Sequence, residues 1–188
     1  MRVVLDPDGV TRGLRRVAGE ILERHHGAHD VVIVGVRRGG ETVAEELVRH
    51  LRDQEARDVP VGSVDITLYR DDAATALPNP RIGPSHIPCA LEGKTVVLVD
   101  DVVYTGRTIR AALDALLDYG RPRRIELMAL VDRGGRELPI QPDYVVKRIE
   151  VGATERVDVV SRDDGLAAIV QAANAPSIPP SVAPRGSP

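Results

Sequence analysis

Two adjacent carboxylates and a short turn containing two threonines are the residues of this sequence best placed to do chemistry. Asp100 and Asp101 end an apolar run, and the segment 105–108 (Thr-Gly-Arg-Thr) follows shortly after them. A turn of this composition that opens a helix directs unpaired backbone N–H groups and the helix dipole at one point, which suits a phosphate. Carboxylates beside that point suit a sugar phosphate, because sugar hydroxyls can donate hydrogen bonds to them. An Asp-Asp pair that only caps the helix is the alternative interpretation.

Two strand–turn–helix units position these residues. The run 95–99 predicts a buried strand, and apolar residues over 109–117 recur at helical spacing before Gly120. An earlier unit has the same order, with a strand over 31–36, a turn of two arginines and two glycines, and a helix over 43–51. In open α/β sheets ligands bind at the carboxyl ends of the strands, which is where the two acids fall.

The remaining pattern predicts an α/β fold with a mainly parallel twisted sheet flanked by helices. It contains a first helix over 10–25, an alternating strand over 63–68, a long proline-rich connection over 73–93, and three short strands over 125–131, 144–149 and 156–160. We expect one domain over residues 1–174. A flexible tail rich in proline and serine is expected over 175–188, since it has too little apolar surface to offset the entropy of ordering it.

Composition narrows the class of protein. The hydrophobic fraction of 43% and the charged fraction of 28% are typical of a globular protein, and no apolar run approaches the roughly 20 residues that span a bilayer. We therefore expect a cytoplasmic protein without a membrane partner. The net charge of −3 argues against a general nucleic-acid binder, and the absence of Phe and Trp argues against a base-stacking platform. Cys89 is alone, which excludes an internal disulfide and a cysteine metal cluster.

The two acids, the segment 104–108 and the preceding strand together resemble the signature with which type I phosphoribosyltransferases bind phosphoribosyl pyrophosphate (PRPP). More narrowly, stretches within 65–72, 114–122 and 130–140 resemble bacterial pyrimidine-operon attenuation regulators that are also uracil phosphoribosyltransferases. The similarity runs from about Arg12 to Val160. It implies the type I fold with a small hood, and an enzyme that forms UMP and pyrophosphate from uracil and PRPP with Mg²⁺. It also implies a homodimer or homotetramer.

The resemblance implies a role for each matching residue. Asp100 and Asp101 are the expected catalytic residues on the ribose hydroxyls, segment 105–108 the 5'-phosphate site, and Arg133 and the backbone of Val157 parts of the substrate site. An exposed arginine and an ordinary strand valine are the alternatives for the last two. Mg²⁺ is expected to bridge oxygens of PRPP, with no direct protein ligand assigned. The expected PRPP and UMP site comprises Arg38, Gly39, Val102, Val103, Tyr104, Thr105, Gly106, Arg107, Thr108, Arg133 and Val157.

The segment before the long connection is the candidate lid. It comprises Tyr69, Arg70, Asp71 and Asp72. Together with the proline-rich stretch it could fold over PRPP and exclude water. A plain surface connection is the competing interpretation.

The sequence also departs from the regulator pattern. Residues 38–40 are Arg-Gly-Gly where Thr-Arg-Gly is usual, which moves a guanidinium by one residue. Arg15, Gly19 and Gly135 stand where Thr, His and His are common, and the usual Gly-Lys-Asn and Pro-Thr-Ser are missing around 146 and 153. We therefore expect any binding of pyrimidine-operon leader RNA to be weak and unselective. The cations left for it are Arg12, Arg15, Arg16, Arg123, Arg136, Lys147 and Arg148.

Two other functions remain open from the sequence. One is an RNA-binding regulator that senses the nucleotide through the same pocket with little or no catalysis. The other is a phosphoribosyltransferase for a purine or for orotate. The phosphate and ribose motif supports all of these, whereas the missing polar groups weaken only RNA recognition.

Overall fold

A five-stranded parallel sheet forms the centre of the protein in this computed structural model, which describes residues 1–71 and 83–176. Its strand order is β3-β2-β4-β5-β6, and every neighbouring pair is parallel. The strands are β2 (Val31–Val36), β3 (Val61–Val64), β4 (Thr95–Val103), β5 (Arg124–Asp132) and β6 (Tyr144–Arg148). The expected fold is confirmed.

Helices cover both faces of this sheet, as the unbroken apolar strands require. The helices within residues 1–71 and 83–176 are α1 (Pro7–His25), α2 (Gly39–Glu55) and α3 (Arg107–Leu117). On one face, α1 and α2 pack against Ile33 and Val97 in one buried cluster. On the other face, α3 packs against Val34 and Leu98 in a second cluster. Alternate residues of each strand thus pack against the helices on opposite faces of the sheet, and the central strand β4 is buried on both faces.

A second, antiparallel sheet has the strand order β1-β8-β7 and forms the small hood. Its strands are β1 (Arg2–Leu5), β7 (Glu155–Arg162) and β8 (Gly165–Ala172). Apolar residues of the hood, including Leu166 and Val170, join the cluster of α1 and α2. The sequence analysis predicted neither β1 nor β8. The hood packs on the α1 side of the main sheet and contacts the acid-bearing strand β4 through β7.

Two predicted strand boundaries differ from the structure. The strand predicted over 63–68 is wrong beyond Val64, because the carboxylate of Asp65 accepts the N–H of Thr67 at 2.8 Å and turns the chain out of the sheet. Leu68 is consequently 62% exposed. Strand β4, in contrast, continues to Val103 and contains both acids, whereas the prediction ended it at Val99.

The connection after β3 is described only from residue 83 onward. Over 83–93 it has no helix or strand, as predicted, and His86 forms a bridge to Ser63 at the edge of the sheet. Of the predicted tail, residues 177–188 and hence most of that prediction lie outside the described residues. Within the described ranges no helix is both long enough and apolar enough to cross a membrane.

Candidate active site

The two acids lie at the carboxyl end of the central strand β4. Asp100 is only 4% exposed, and its Oδ1 accepts the N–H of Asp101 at 3.1 Å. Asp101 is partly exposed, and its Oδ1 accepts the N–H of Val102 at 2.9 Å. Burial and the adjacent Asp101 raise the pKa of Asp100 well above its ordinary value, and burial also raises the pKa of Asp101. The strand therefore holds two carboxyl groups in a setting that disfavours their simultaneous ionisation.

The arginine–glycine turn before α2 meets these acids directly. A Cβ placed on Gly39 would lie 2.0 Å from Oδ2 of Asp101, and one on Gly40 would lie 2.2 Å from the carbonyl oxygen of Val99. Only glycines allow the turn to come this close. Arg38 is exposed at the amino end of α2. The structure thus brings Gly39 against Asp101, with Arg38 as the preceding residue, and their common ligand site stays a prediction.

The turn between β4 and α3 has the geometry of a phosphate site. Gly106 is the N-cap residue of α3 with φ of 92°, and without a side chain it leaves the first amides of the helix uncapped. The N–H of Arg107 lies 3.3 Å from Oγ1 of Thr105. The guanidinium of Arg107 points elsewhere: it donates to Glu137 at 2.7 Å and to Asp71 at 2.8 Å. In this conformation a phosphate would therefore meet the backbone N–H groups that follow Arg107 and the hydroxyl of Thr108, rather than the Arg107 side chain.

Tyr104 and Arg133 form a stack between the two acids and the turn. The guanidinium carbon of Arg133 lies 4.0 Å from the centre of the Tyr104 ring, and Tyr104 is 44% exposed. A Cβ on Gly135 would lie 2.4 Å from the same ring, so the glycine leaves room for it. The buried Nε of Arg133 has no hydrogen-bond partner among the described residues. This buried donor without a described partner lies next to Tyr104, the residue directly before the turn 105–108.

Val157 lies apart from this stack. Its side chain is 8% exposed in the core, and its backbone pairs with Val170 in the hood. The structure therefore shows a packed strand valine; contact with a base would have to involve the backbone only.

The lid residues lie against α3. Arg110 donates to the carbonyl of Tyr69 at 2.9 Å and forms an ion pair with Asp71 at 3.2 Å. The hydroxyl of Tyr69 donates to the carboxylate of Asp118. Arg70 is exposed, and Asp72 lies outside the described residues. The described part of the candidate lid thus contacts the helix that follows the phosphate turn.

Arg136, one of the candidate RNA-contacting cations, has several partners within the protein. Its side chain is 12% exposed and donates to Oδ1 of Asp132 at 2.7 Å, to the carbonyl of Tyr104 at 2.6 Å and to that of Ile140 at 2.8 Å. These partners leave the guanidinium little free surface for a phosphate of RNA, and its contact with RNA stays a prediction.

Most of the other candidate RNA-contacting cations lie on helix α1, where Arg12, Arg15 and Arg16 are neighbours at helical spacing, and on the edge strand β6. Arg12 is exposed on α1, and Arg16 there donates to the carbonyl of Val145 in the edge strand at 2.8 Å. Lys147 and Arg148 are adjacent in β6, so their side chains point to opposite faces of the sheet. Arg15 lies in a different groove, lined also by Thr11, His50, Asp53 and Gln54.

Three acidic residues near the site were not singled out by the sequence analysis. Asp132, 7% exposed at the end of β5, lines a cavity and binds Arg136. Asp65 accepts the N–H groups of Thr67 and Gly83 and so joins both described ends of the long connection. Glu137 binds Arg107. An aspartate two residues before a threonine at a strand end was a turn signal for Asp65; no comparable local signal identifies the other two.

The described part of the chain contains no cluster of three or more His, Cys, Asp or Glu side chains able to enclose a metal ion. The donor set is Asp100 and Asp101, beside a turn suited to phosphate oxygens. Such a set fits Mg²⁺ that arrives with a polyphosphate, since this ion keeps much of its coordination to water and phosphate.

Comparison with known proteins agrees with this geometry. The family model described as phosphoribosyl transferase domain matches residues 4–164. The chain is 53% identical over 156 residues to "Bifunctional protein PyrR" of Pelotomaculum thermopropionicum, covering 83% of this chain and 86% of that protein. It is 50% identical over 168 residues to the protein of that name from Chloroflexus aurantiacus, covering 89% and 92%.

Solved structures resemble the fold at low sequence identity. Hypoxanthine phosphoribosyltransferase from Trypanosoma cruzi, in complex with its product IMP, has a TM-score of 0.66 at 20% identity and covers 88% of each chain. A hypoxanthine-guanine phosphoribosyltransferase from Bacillus anthracis has a TM-score of 0.65 at 17% identity, covering 90% of this chain and 98% of its own. These likenesses concern the fold, while the family model and the relatives of about half-identical sequence decide the family. The chain belongs to the phosphoribosyl transferase domain family and, within it, to the PyrR proteins.

Proposed function

We propose that this chain is a uracil phosphoribosyltransferase, which forms UMP and pyrophosphate from uracil and PRPP. The observation that carries the proposal is the meeting of three elements at one edge of the sheet: the two acids, the close-approaching turn at Gly39, and the uncapped start of α3 at Gly106. Each suits a different part of PRPP: the ribose hydroxyls, the pyrophosphate and the 5'-phosphate respectively.

The reaction replaces one bond at the anomeric carbon of PRPP by another. Nitrogen N1 of uracil bonds to this carbon and its proton passes to water or to the pyrophosphate, while the bond to the pyrophosphate oxygen breaks and its electron pair leaves with pyrophosphate. The anomeric carbon gains positive character, which nearby carboxylates stabilise. Asp100 and Asp101 are the groups at hand, and the turn at 105–108 keeps the 5'-phosphate, and hence the ribose, in place.

Mg²⁺ bound with PRPP supplies positive charge that neutralises the departing pyrophosphate. The residues of this chain that would lie beside it are Asp100 and Asp101. The raised pKa of each acid means that the free protein resists carrying both negative charges, and an arriving cation would offset that cost.

The choice of uracil rests on the similarity to the PyrR relatives, since the described site alone suits any PRPP-dependent transfer. The test is release of pyrophosphate from PRPP and Mg²⁺ in the presence of single free bases: uracil, cytosine, orotate, hypoxanthine and guanine. Release with uracil and not with the others is expected. The Asp101→Asn variant serves as the inactive control. Release that depends on a purine or on orotate instead would contradict the base assignment.

A nucleotide-responsive RNA-binding role is the second candidate, favoured by the bifunctional PyrR relatives and by the exposed cations Arg12 and Lys147. Two features of this chain work against strong, selective binding. Arg136 is enclosed by the protein, and Arg16 is already engaged with β6 and with Glu20. We therefore propose transferase activity as the main function, with RNA contact limited to phosphates.

A further inference from the structure

The segment 133–140, which follows β5, lies along the phosphate turn and is hydrogen-bonded to it. The N–H of Arg133 donates to the carbonyl of Val103 at 3.1 Å. The N–H groups of Glu137 and Leu138 both donate to the carbonyl of Thr105, at 3.0 and 3.1 Å. Backbone groups of one loop therefore take up carbonyls that the end of β4 and its turn would otherwise leave unpaired.

The guanidinium of Arg136 adds side-chain hydrogen bonds to these backbone contacts. Its Nη1 donates to the carbonyl of Tyr104 at 2.6 Å, its Nη2 to Oδ1 of Asp132 at 2.7 Å, and its Nε to the carbonyl of Ile140 at 2.8 Å. Three different elements are thus held by one planar group. A lysine could keep the charge opposite Asp132, but its single ammonium cannot reproduce this fork.

Side chains of the segment 133–140 also lie against the turn. A Cβ on Gly106 would lie 3.4 Å from the Cβ atoms of both Leu138 and Ile140. Glu137 accepts from Nε of Arg107 at 2.7 Å. Together with the hydrogen bonds, these contacts engage each residue from 103 to 107, so the shape of the turn depends on the neighbouring loop.

We infer that Arg136 is a positioning residue for the 5'-phosphate: it holds the turn 103–107 in the conformation that binds the phosphate, without touching the ligand. The inference rests on the proposed function, because that function places the 5'-phosphate on this turn. Pyrophosphate is expected at the other turn, around Gly39, which Arg136 does not contact. Loss of Arg136 should therefore weaken the binding of ligands that carry a 5'-phosphate and leave the binding of pyrophosphate unchanged.

The experiment measures binding by calorimetry with two separate probes, ribose 5-phosphate and pyrophosphate, each with Mg²⁺. The variants are Arg136→Met, which keeps the length but removes the donors, and Arg136→Lys. The matched control is Arg24→Met, because Arg24 also pairs with a buried carboxylate, at 3.6 Å from Glu126, and lies over the Tyr144 ring at 4.7 Å. Those residues lie near the starts of β5 and β6, at the opposite end of the sheet from the acids.

Arg136→Met should weaken ribose 5-phosphate binding on the order of 10- to 100-fold, since small displacements of a binding group have effects of this size. Pyrophosphate affinity should stay within about 2-fold of the parent on the same reasoning. The affinity of Arg136→Lys for ribose 5-phosphate should lie between that of Arg136→Met and that of the parent. Arg24→Met should bind both probes normally even if its Tm is lower.

Unchanged affinity of Arg136→Met for ribose 5-phosphate would overturn the inference, and so would an equal loss of both probes, which indicates a collapsed site. The binding assay contains no base. If binding of ribose 5-phosphate depends on Arg136 but the parent protein does not convert uracil, the base assignment is refuted and the positioning role still stands.

Discussion

Asp100→Asn isolates the electrostatic cost of the candidate site, because it removes a buried charge and changes little else. The side chain is 4% exposed, and burial together with Asp101 raises its pKa well above the ordinary value. An asparagine keeps an oxygen to accept the N–H of Asp101, as Oδ1 does at 3.1 Å. Its amide N–H groups can donate to the Asp101 carboxylate, as a protonated Asp100 would. We expect the variant to be more stable than the parent at neutral pH and to lose most transferase activity.

The raised pKa of Asp100 determines in which direction the stability of the protein changes with pH. The folded protein holds the Asp100 proton more tightly than the unfolded chain, so the contribution of this group is fully present below the unfolded pKa. It is lost as pH rises toward the folded pKa. Across that window the parent should lose about 1.4 kcal/mol per pH unit relative to Asp100→Asn. For a chain of this size each such step corresponds to about 3–6 °C in Tm.

Thermal melts of both proteins from about pH 4 to pH 8 measure the difference. A useful control is Asp30→Asn, because the hydrogen bond from Lys94 lowers the pKa of Asp30. The contribution of Asp30 is present above its unfolded pKa and is lost only as pH falls below that value, so over this pH range the Tm difference between Asp30→Asn and the parent should stay nearly constant. Parallel Tm curves for the parent and Asp100→Asn would refute the burial argument.

Turnover should fall on the order of 100-fold in Asp100→Asn and in Asp101→Asn. Near-normal kcat/KM in both variants would remove these residues from the ribose site.

The remaining predictions concern the turn, the tail and RNA. Gly106→Val should abolish PRPP binding measured by calorimetry, because a branched side chain is strained at φ of 92° and would press on Leu138; Gly93→Val, at φ of 75° with open space around it, should bind normally. Removal of residues 175–188 should leave Tm and activity nearly unchanged, and a loss of several degrees would show that this segment docks. A pyrimidine-operon leader hairpin and a scrambled hairpin should bind with similarly weak, salt-sensitive affinity; preference for the leader that strengthens with UMP would contradict this.

The central elements were predictable because their patterns leave little choice. Strand β2 and the first part of β4 are unbroken apolar runs, which suit a strand covered on both faces. Helices α1, α2 and α3 each carry an apolar stripe at helical spacing. The adjacent acids and the glycine turn were likewise visible, since strand, acids and turn are contiguous in the sequence.

The hood was not predicted, for reasons of length and exposure. Strand β1 has four residues, none of them fully buried, so its pattern is weak. Strand β8 begins at Gly165, directly after a two-residue turn of Asp163 and Asp164, and its residues then pair with those of β7 in the antiparallel register. This turn signal would have identified β8.

The loop that supports the phosphate turn could not be predicted from the residues themselves. Arg136 and the carbonyl of Tyr104 are separated by 32 positions along the chain. The groups that accept hydrogen bonds from Arg136 are largely backbone carbonyls. Every residue has one, so the sequence does not indicate which of them will be acceptors. For the same reason, Arg136 was grouped with surface cations: its type indicated a positive charge, but only the tertiary structure shows which carbonyls surround it.

The changed turn at 38–40 and the position of Asp101 are physically linked. Oδ2 of Asp101 occupies the space that a Cβ at position 39 would need, at a distance of 2.0 Å. A side chain there, such as the arginine common in the regulator family, would first have to displace this carboxylate. We therefore expect the guanidinium of Arg38, which is exposed at the start of α2, to serve pyrophosphate in its place, and Gly39 to contribute its backbone. In this chain the loss of an arginine at 39 leaves Asp101 in contact with the turn.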